Sequence, residues 1–290
     1  MSWLPILVAG FGTAMIIAVM GLGVVLVYRT SGVLAFHVGE VGVLAAYTMT
    51  SVWQSVGGGL GLGLGLAAVI AVGIAAGLLA FLLVEVLGSP FGHFTGTVVT
   101  IALAISMAGL ISLLWEGHAY RLPVFAGSLA IAAATVPLSG IAVAVIGAAL
   151  AALLIIGVAH TGIGLEMRAV AGSPKLASLR GVPVRRTLCL VWLGASVLAA
   201  LAGTLLAMVS VASPEGSAIG VSAIVAAILG GLTSMWGCIV GAILLAAIET
   251  GVTVFFEPRY AHVVPVLLLL ALLAFRPSGL AGRTEQIARV

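Results

Sequence analysis

The sequence predicts an all-α, polytopic transmembrane helical bundle, and three observations carry that fold class. Hydrophobic residues fill 63% of the 290 positions and charged residues only 7%, with no aspartate; a soluble surface needs roughly a quarter of its positions charged. Apolar runs of about 20 residues recur, each long enough to cross a hydrocarbon core of roughly 30 Å as a helix. The runs do not alternate polar with apolar, as barrel strands would, and an unclosed sheet would leave backbone groups unpaired in lipid.

The chain reads as one transmembrane domain, 1–290, with about nine spans at 4–27, 32–53, 60–86, 96–115, 137–159, 187–210, 218–231, 236–254 and 261–275. No Lys or Arg precedes Arg29, so the first run lacks the basic flank of a cleaved signal peptide and is expected to remain as a span. Short loops rich in Lys and Arg stay in the cytoplasm. Placing 160–186 inside also places Arg29, Arg276, Arg283 and Arg289 there and leaves only Arg121 and Arg259 outside, so the N-terminus is expected out and the C-terminus in. Trp3, Trp53, Trp115 and Trp236 then fall at span ends, where the indole favours the headgroup zone, with Trp192 within about a turn and a half of one.

Several stretches need separate readings. The span 218–231 is short and runs into Gly230-Gly231, which suits a thin, interrupted helix. Residues 122–135 are apolar but cut from the next span by Pro137, and are expected on the outer face. "GGGLGLGLGL", 57–66, reads as a flexible outer turn. Cys189 and Cys238 fall near inner helix ends, a reducing location, and read as packing residues. The remaining outer polar residues, Glu116, His118 and Arg121, Ser213 to Glu215, and Glu257 to Arg259, mark the face on which a soluble partner would dock.

Five of the eleven basic residues crowd into "EMRAVAGSPKLASLRGVPVRR", 166–186. Ser173 is a good N-cap, Pro174 suits the first helical position, and Gly181 suits the left-handed residue that ends a helix. They frame a short helix over 174–180, too short to stand alone in water. Leu176 and Leu179 give it an apolar edge, with Lys175, Ser178 and Arg180 around the rest. That is the pattern of a docking element, while Arg185 and Arg186 flank the next span as topology anchors. No G-x-x-x-x-G-K-[ST] phosphate loop occurs, so energy for any uphill transport must come from a partner or an ion gradient.

Glu40 supports the second possibility. It lies near the middle of the second span, where a charge costs about 2.5–3.5 kcal/mol on insertion scales and is by default functional. His37, three residues earlier, is expected on the same face, so the pair could serve an ion-coupled carrier of a small polar solute. A packing role is the alternative. Beyond this pair the spans offer hydroxyls such as Ser106, Thr204 and Ser222, while Glu85 and Glu249 lie toward span ends. Glycines, 39 in all, mark faces where helices approach closely in lipid, Gly230, Gly231, Gly237 and Gly241 among them.

The segment "GLEMRAVAGSPKLASLRGVPVRRTLCLVWLGASVLAALAGTLLA" resembles the cytoplasmic loop and following helix of permease subunits in ABC importers for branched-chain amino acids. "VYRTSGVLAFHVGEVGVLAAY", "AILGGLTSMWGCIVGAILLAAIE" and "FRPSGLAG" fit the same family in the same order. The family motif, Asn-Phe-Ala-His-Gly-Glu, meets Phe36, Gly39 and Glu40 here; Ala35 stands at the Asn position, and Val38 at the His position with His37 displaced by one.

The resemblance implies a permease moving branched-chain or other hydrophobic amino acids by alternating access, with urea and short amides as family alternatives. It implies a substrate pathway at Phe36, His37, Gly39, Glu40, Gly230, Gly231, Ser234 and Gly237. It implies ATPase coupling through Arg168, Ser173, Pro174, Lys175, Leu176, Ser178, Leu179, Arg180 and Gly181. The implied partners are a second permease subunit, a paralogue rather than a copy, two ATP-binding subunits, a periplasmic or lipid-anchored substrate-binding protein and membrane lipid, with no nucleic acid. The chain itself is expected to bind no cofactor or metal and to be no enzyme, ATP and Mg belonging to the partner subunits, in a bacterial inner membrane.

Overall fold

Small residues let apolar helices approach backbone to backbone, and that governs the architecture. A computed structural model describes residues 3–87, 92–122, 124–125, 127–131, 134–261 and 263–275. Helix α1 (Trp3–Ser31) is the central post, buried without interruption from Ala14 to Val27. Around it stand α5 (Leu138–His160), α8 (Val184–Val209), α9 (Ala218–Gly230) and α10 (Met235–Phe255). A Cβ on Gly21 would meet Cys238 Sγ of α10 at 2.9 Å, and one on Gly23 would meet Ala195 O of α8 at 3.1 Å, so a side chain at either position would push its neighbour away.

A second layer holds α2 (Val38–Val56), α3 (Gly58–Phe81), which continues into a π-helical turn at Leu82–Leu87, and α4 (Gly92–Trp115). Helix α3 lies on α8 with Gly73 against Val197 and Gly77 against Leu193, where a Cβ would fall 2.8 Å from the facing Cα in both cases. Short elements complete the chain: α6 (Gly162–Gly172), α7 (Pro174–Leu179), a 3-10 turn at Pro214–Ser217, α11 (Pro258–Ala261) and α12 (Val264–Phe275).

Six helices among the described residues are long and apolar enough to cross a membrane: Trp3–Ser31, Gly58–Val86, Phe94–Trp115, Leu138–His160, Val184–Val209 and Met235–Phe255. This is a polytopic helical membrane protein. The other three expected spans fall on α2, on the Pro214–Gly230 pair of helices, and on α12, which are shorter or more polar. The C-terminal arginines Arg276, Arg283 and Arg289, and most of the "FRPSGLAG" stretch, lie outside the described residues.

Two local readings are corrected, at 57–66 and at Trp192. Residues 57–66 are not a flexible turn: α3 begins at Gly58, because Gly61 and Gly65 face Trp53 and Met49 and let α2 and α3 close into a hairpin. The segment leading to α5 contains a two-stranded antiparallel hairpin, Ser128–Ile131 with Ala134–Pro137, pairing Leu129 with Val136. Trp192 does not mark an interface, being fully buried in the bundle.

The feature that shapes the site is where α2 starts. Its N-cap, His37, meets Ser196, the thirteenth of the 26 residues of α8. The chain therefore leaves α1 at Ser31 and runs as an irregular segment over 32–37, burying Val33, Ala35 and His37, before turning helical. Irregular backbone survives in an apolar bundle only when its polar groups are satisfied. Two threonines of α4 do this: Leu34 N–H donates to Thr97 Oγ1 at 3.3 Å, Phe36 N–H donates to Thr100 Oγ1 at 3.3 Å, and the Thr100 hydroxyl donates to Leu34 O at 2.7 Å.

Candidate functional site

Two helices begin inside the bundle and meet. The chain folds back after α8, makes the Pro214–Ser217 turn and enters α9, whose Gly220 sits against Gly39 in the first turn of α2. A Cβ on Gly39 would lie 2.7 Å from Ser217 O and 3.2 Å from Gly220 Cα, so only glycine permits this approach. The start of α2 and that of the Pro214–Gly230 helical stretch each present the positive end of a helix dipole, an arrangement used in broken membrane helices at substrate sites.

Beside this contact lies a cavity of about 630 Å³. Phe36, Ile101, Ile105, Val221 and Ile224 give it an apolar wall; Glu40, Glu215 and Ser217 supply its polar groups, and none of its described lining residues is basic. Ser217 stands within hydrogen-bonding reach of Glu40, and its hydroxyl donates to Pro214 O at 3.0 Å. A second cavity, about 570 Å³, lies across the 3-10 turn and shares Glu215. There Ser222 donates to Glu249 Oε1 at 3.0 Å. An apolar wall facing two carboxylates suits a solute with a cationic amine and a hydrophobic side chain.

The expected pathway residues separate into three places. Phe36, Gly39 and Glu40 come together at the cavity. His37 does not join them: it caps α2 instead of lying within it, is fully buried, and faces Ser196 and Trp192 of α8. The His37–Glu40 pairing expected from three-residue spacing is therefore not formed. Gly230, Gly231, Ser234 and Gly237 build the tight corner between α9 and α10, where Ser234 Oγ accepts from Gly237 N–H at 3.0 Å and Gly231 takes a φ of 97°. Sequence reasoning missed Thr97, Thr100 and Ser217 and placed Glu215 on an outer docking face. The i, i+3 spacing of Thr97 and Thr100 in an apolar helix, and the Ser-Pro-Glu-Gly turn before a short apolar helix, were the available signals.

The 162–183 corner is built by matched caps. Thr161 caps α6, accepting from Gly164 N–H at 3.3 Å. Arg168 donates to Val158 O at the end of α5 at 3.0 Å, and Thr187 of α8 donates to Glu166 Oε2 at 3.0 Å, so α6 clamps one long helix to the next. Arg168 is thus engaged within the chain. Ser173 accepts from Leu176 N–H at 3.3 Å, with Pro174 at the first position of α7. The other end closes through Gly181 N–H to Ser178 O at 3.0 Å and Val182 N–H to Ala177 O at 3.1 Å, with Gly181 at φ 83°, the Schellman pattern. The helix stops one residue before the expected end, Arg180 serving as its C-cap. Ala177 packs inward, while Leu176 and Leu179 are 64% and 77% exposed.

The family described as "Branched-chain amino acid transport system / permease component" matches residues 6–273. The chain belongs to this family. Among relatives, the high-affinity branched-chain amino acid transport system permease protein LivH of Salmonella typhimurium is 34% identical over 134 residues, 46% of this chain and 44% of that protein. The corresponding permease protein BraD of Pseudomonas aeruginosa is 35% identical over 130 residues, 44% of this chain and 42% of its own length. A probable branched-chain amino acid transport permease protein LivH of Methanocaldococcus jannaschii is 28% identical over 130 residues, covering 42% and 41%. The chain therefore spans less than half the length of these relatives in the matched stretches. No solved structure matches.

Proposed function

We propose that this permease-family chain is the membrane subunit of an ATP-driven importer that moves branched-chain or other hydrophobic amino acids by alternating access. The observation that carries the reading is α7: a six-residue helix, capped at both ends and following the α6 that is clamped to α5 and α8, that holds Leu176 and Leu179 outward and exposed among the described residues. So short a helix is not stable by itself, and a rigid apolar knob beside Lys175 and Arg180 fits a cleft in a separate ATP-binding subunit. Two such subunits, carrying ATP and Mg, would supply the energy; a second permease, a paralogue of this chain, would close the open side of the cavity; and a periplasmic or lipid-anchored binding protein would deliver substrate. The chain would cross a bacterial inner membrane nine times, N-terminus out and C-terminus in, with α2, the Pro214–Gly230 helices and α12 as its short spans. The antiparallel contact of α1 with α10 and the positive-inside count support that arrangement.

The cavity supports the substrate class. Its carboxylates suit an ammonium group, the two helix starts suit a carboxylate, and the aliphatic wall suits a branched side chain. An ion-coupled carrier using Glu40 and His37 gains nothing from the geometry, since the two face different neighbours. The test is co-expression with ATP-binding subunits, purification in mild detergent and leucine uptake in proteoliposomes. ATP-dependent uptake is the expected result; uptake under a proton gradient alone would reject the reading. Gly181→Val sharpens it, because a left-handed residue costs about 1–2 kcal/mol without glycine, more when β-branched. That variant should insert normally and hydrolyse ATP while losing uptake, and normal coupling would count against α7 as the contact.

A further inference from the structure

One group of buried polar side chains stands outside both cavities and has no part in the function just proposed. His37 is fully buried, with Nε2 3.3 Å from the Ser196 hydroxyl. Its ring leans on Trp192, one turn earlier on α8, with centroids 5.7 Å apart. Trp192, also fully buried, donates its indole N–H to Glu85 Oε1 at 3.1 Å. Glu85 sits in the π-helical turn Leu82–Leu87, a form that is rare and frequent at functional positions. Among the described residues His37 Nδ1 has no hydrogen-bond partner. A buried polar atom left unpaired is unfavourable enough to call for a reason, and an apolar residue would fill the same space without that penalty.

Location supplies the reason. His37 directly follows Phe36 and precedes Glu40 by three residues, and both of those line the cavity. Trp192 is eight residues, about 12 Å, from the start of α8, which is fastened to α6 through Thr187 and Glu166. Helices α3 and α8 touch backbone to backbone at Gly73 and Gly77, and Glu85, in the turn that continues α3, holds the Trp192 indole of α8 by a hydrogen bond. The α6–α7 corner and the cavity are thus joined by α8 and by this polar chain.

We infer that Glu85, Trp192, Ser196 and His37 form a positioning relay through which a movement of α8 resets the start of α2, and with it Phe36 and Glu40 at the cavity. The unpartnered Nδ1 belongs to a contact with two arrangements, the imidazole being one hydrogen bond short in this one. The relay rests on the importer reading only for the source of the movement.

Two measurements test it separately. In the purified chain, Trp192→Phe keeps an aromatic ring against His37 but removes the indole N–H, and Ser196→Ala removes a hydroxyl with little change in volume. Both are expected to speed amide exchange over 32–40 by about tenfold, the value of one hydrogen bond of this class, with α10 unchanged. Glu85→Gln, which keeps an oxygen to accept the N–H, is expected to retain slow exchange where Glu85→Ala does not. Exchange over 32–40 that stays slow in Trp192→Phe, Ser196→Ala and Glu85→Ala overturns the relay whatever the chain transports. In the complex with ATP-binding subunits, Trp192→Phe is expected to hydrolyse ATP at the wild-type rate while uptake per ATP falls about tenfold; unchanged uptake per ATP also overturns it. A wild-type complex with no ATP-driven uptake rejects the importer reading instead, and the exchange measurement then decides the relay alone.

Discussion

Helix α9 crosses a neighbour glycine on glycine at both of its ends, and the two crossings do different things. At its start Gly220 meets Gly39 beside a cavity holding Glu40 and Glu215. At its end Gly230 meets Gly237 in a corner closed by the Ser234 cap. Neither crossing leaves room for a Cβ, the approach being the tighter at Gly230 and Gly237, so glycine density does not distinguish a pathway from a joint. What distinguishes them is the company of two carboxylates, Glu40 and Glu215, on a cavity wall at one end, and a capped turn at the other.

The largest effect should come from filling the sealed crossing. A Cβ on Gly230 runs into the Gly237 backbone, which has no flexible side chain to yield. Gly230→Val should therefore destabilise the fold by more than about 3 kcal/mol, seen as loss of a monodisperse species and a lowered Tm in detergent. A well-folded Gly230→Val chain would mean that the corner opens readily, and would erase the contrast between the two ends.

Next comes the support of the open end. Thr100→Val keeps the shape of the side chain but removes the donor to Leu34 O and the acceptor for Phe36 N–H. Phe36 N–H and Leu34 O would then keep only their mutual 3.2 Å backbone bond, and losing the two threonine contacts should cost about 1 kcal/mol and loosen the 32–37 segment, read as faster exchange there with α9 and α10 unaffected. Equal loosening at both ends of α9 would show that the two crossings are one cooperative unit.

Glu40→Gln should leave stability nearly unchanged while lowering uptake, because the side chain is half-buried on a cavity wall and an amide still reaches Ser217. The loss of one charge-assisted contact to a substrate ammonium corresponds to about tenfold in uptake at low substrate. Unaltered uptake would remove Glu40 from the pathway and leave Glu215 as the only carboxylate on that wall.

Much of this was legible in the sequence, for physical reasons that differ by region. The α7 corner was readable almost residue by residue, because capping depends on Ser173, Pro174 and Gly181 and their neighbours alone. Glu40 was readable because a charge within an apolar run is anomalous wherever the chain places it. His37 was misread because its direction depends on where α2 begins, and that is fixed by Thr97 and Thr100, more than sixty residues away. Glu85 and Trp192 were read separately, as a span-end carboxylate and an interface marker, although each is the partner of the other. The Gly57–Leu66 run looked flexible because its glycines have no side chains to periodise, whereas Trp53 and Met49 supply the surface it packs on.

The smallest effect returns to the sealed corner. Ser234 was assigned to the pathway with Gly230, Gly231 and Gly237, yet its hydroxyl accepts from Gly237 N–H and so caps α10. Ser234→Ala should therefore cost about 1 kcal/mol of stability and leave the concentration dependence of uptake unchanged in the protein that remains folded. A shifted half-saturating concentration would instead give Ser234 contact with substrate, and would mean that the α9–α10 corner opens onto the pathway during the cycle. Uptake per folded molecule, measured beside Glu40→Gln, separates a cap from a contact, because only a contact changes how substrate concentration sets the rate.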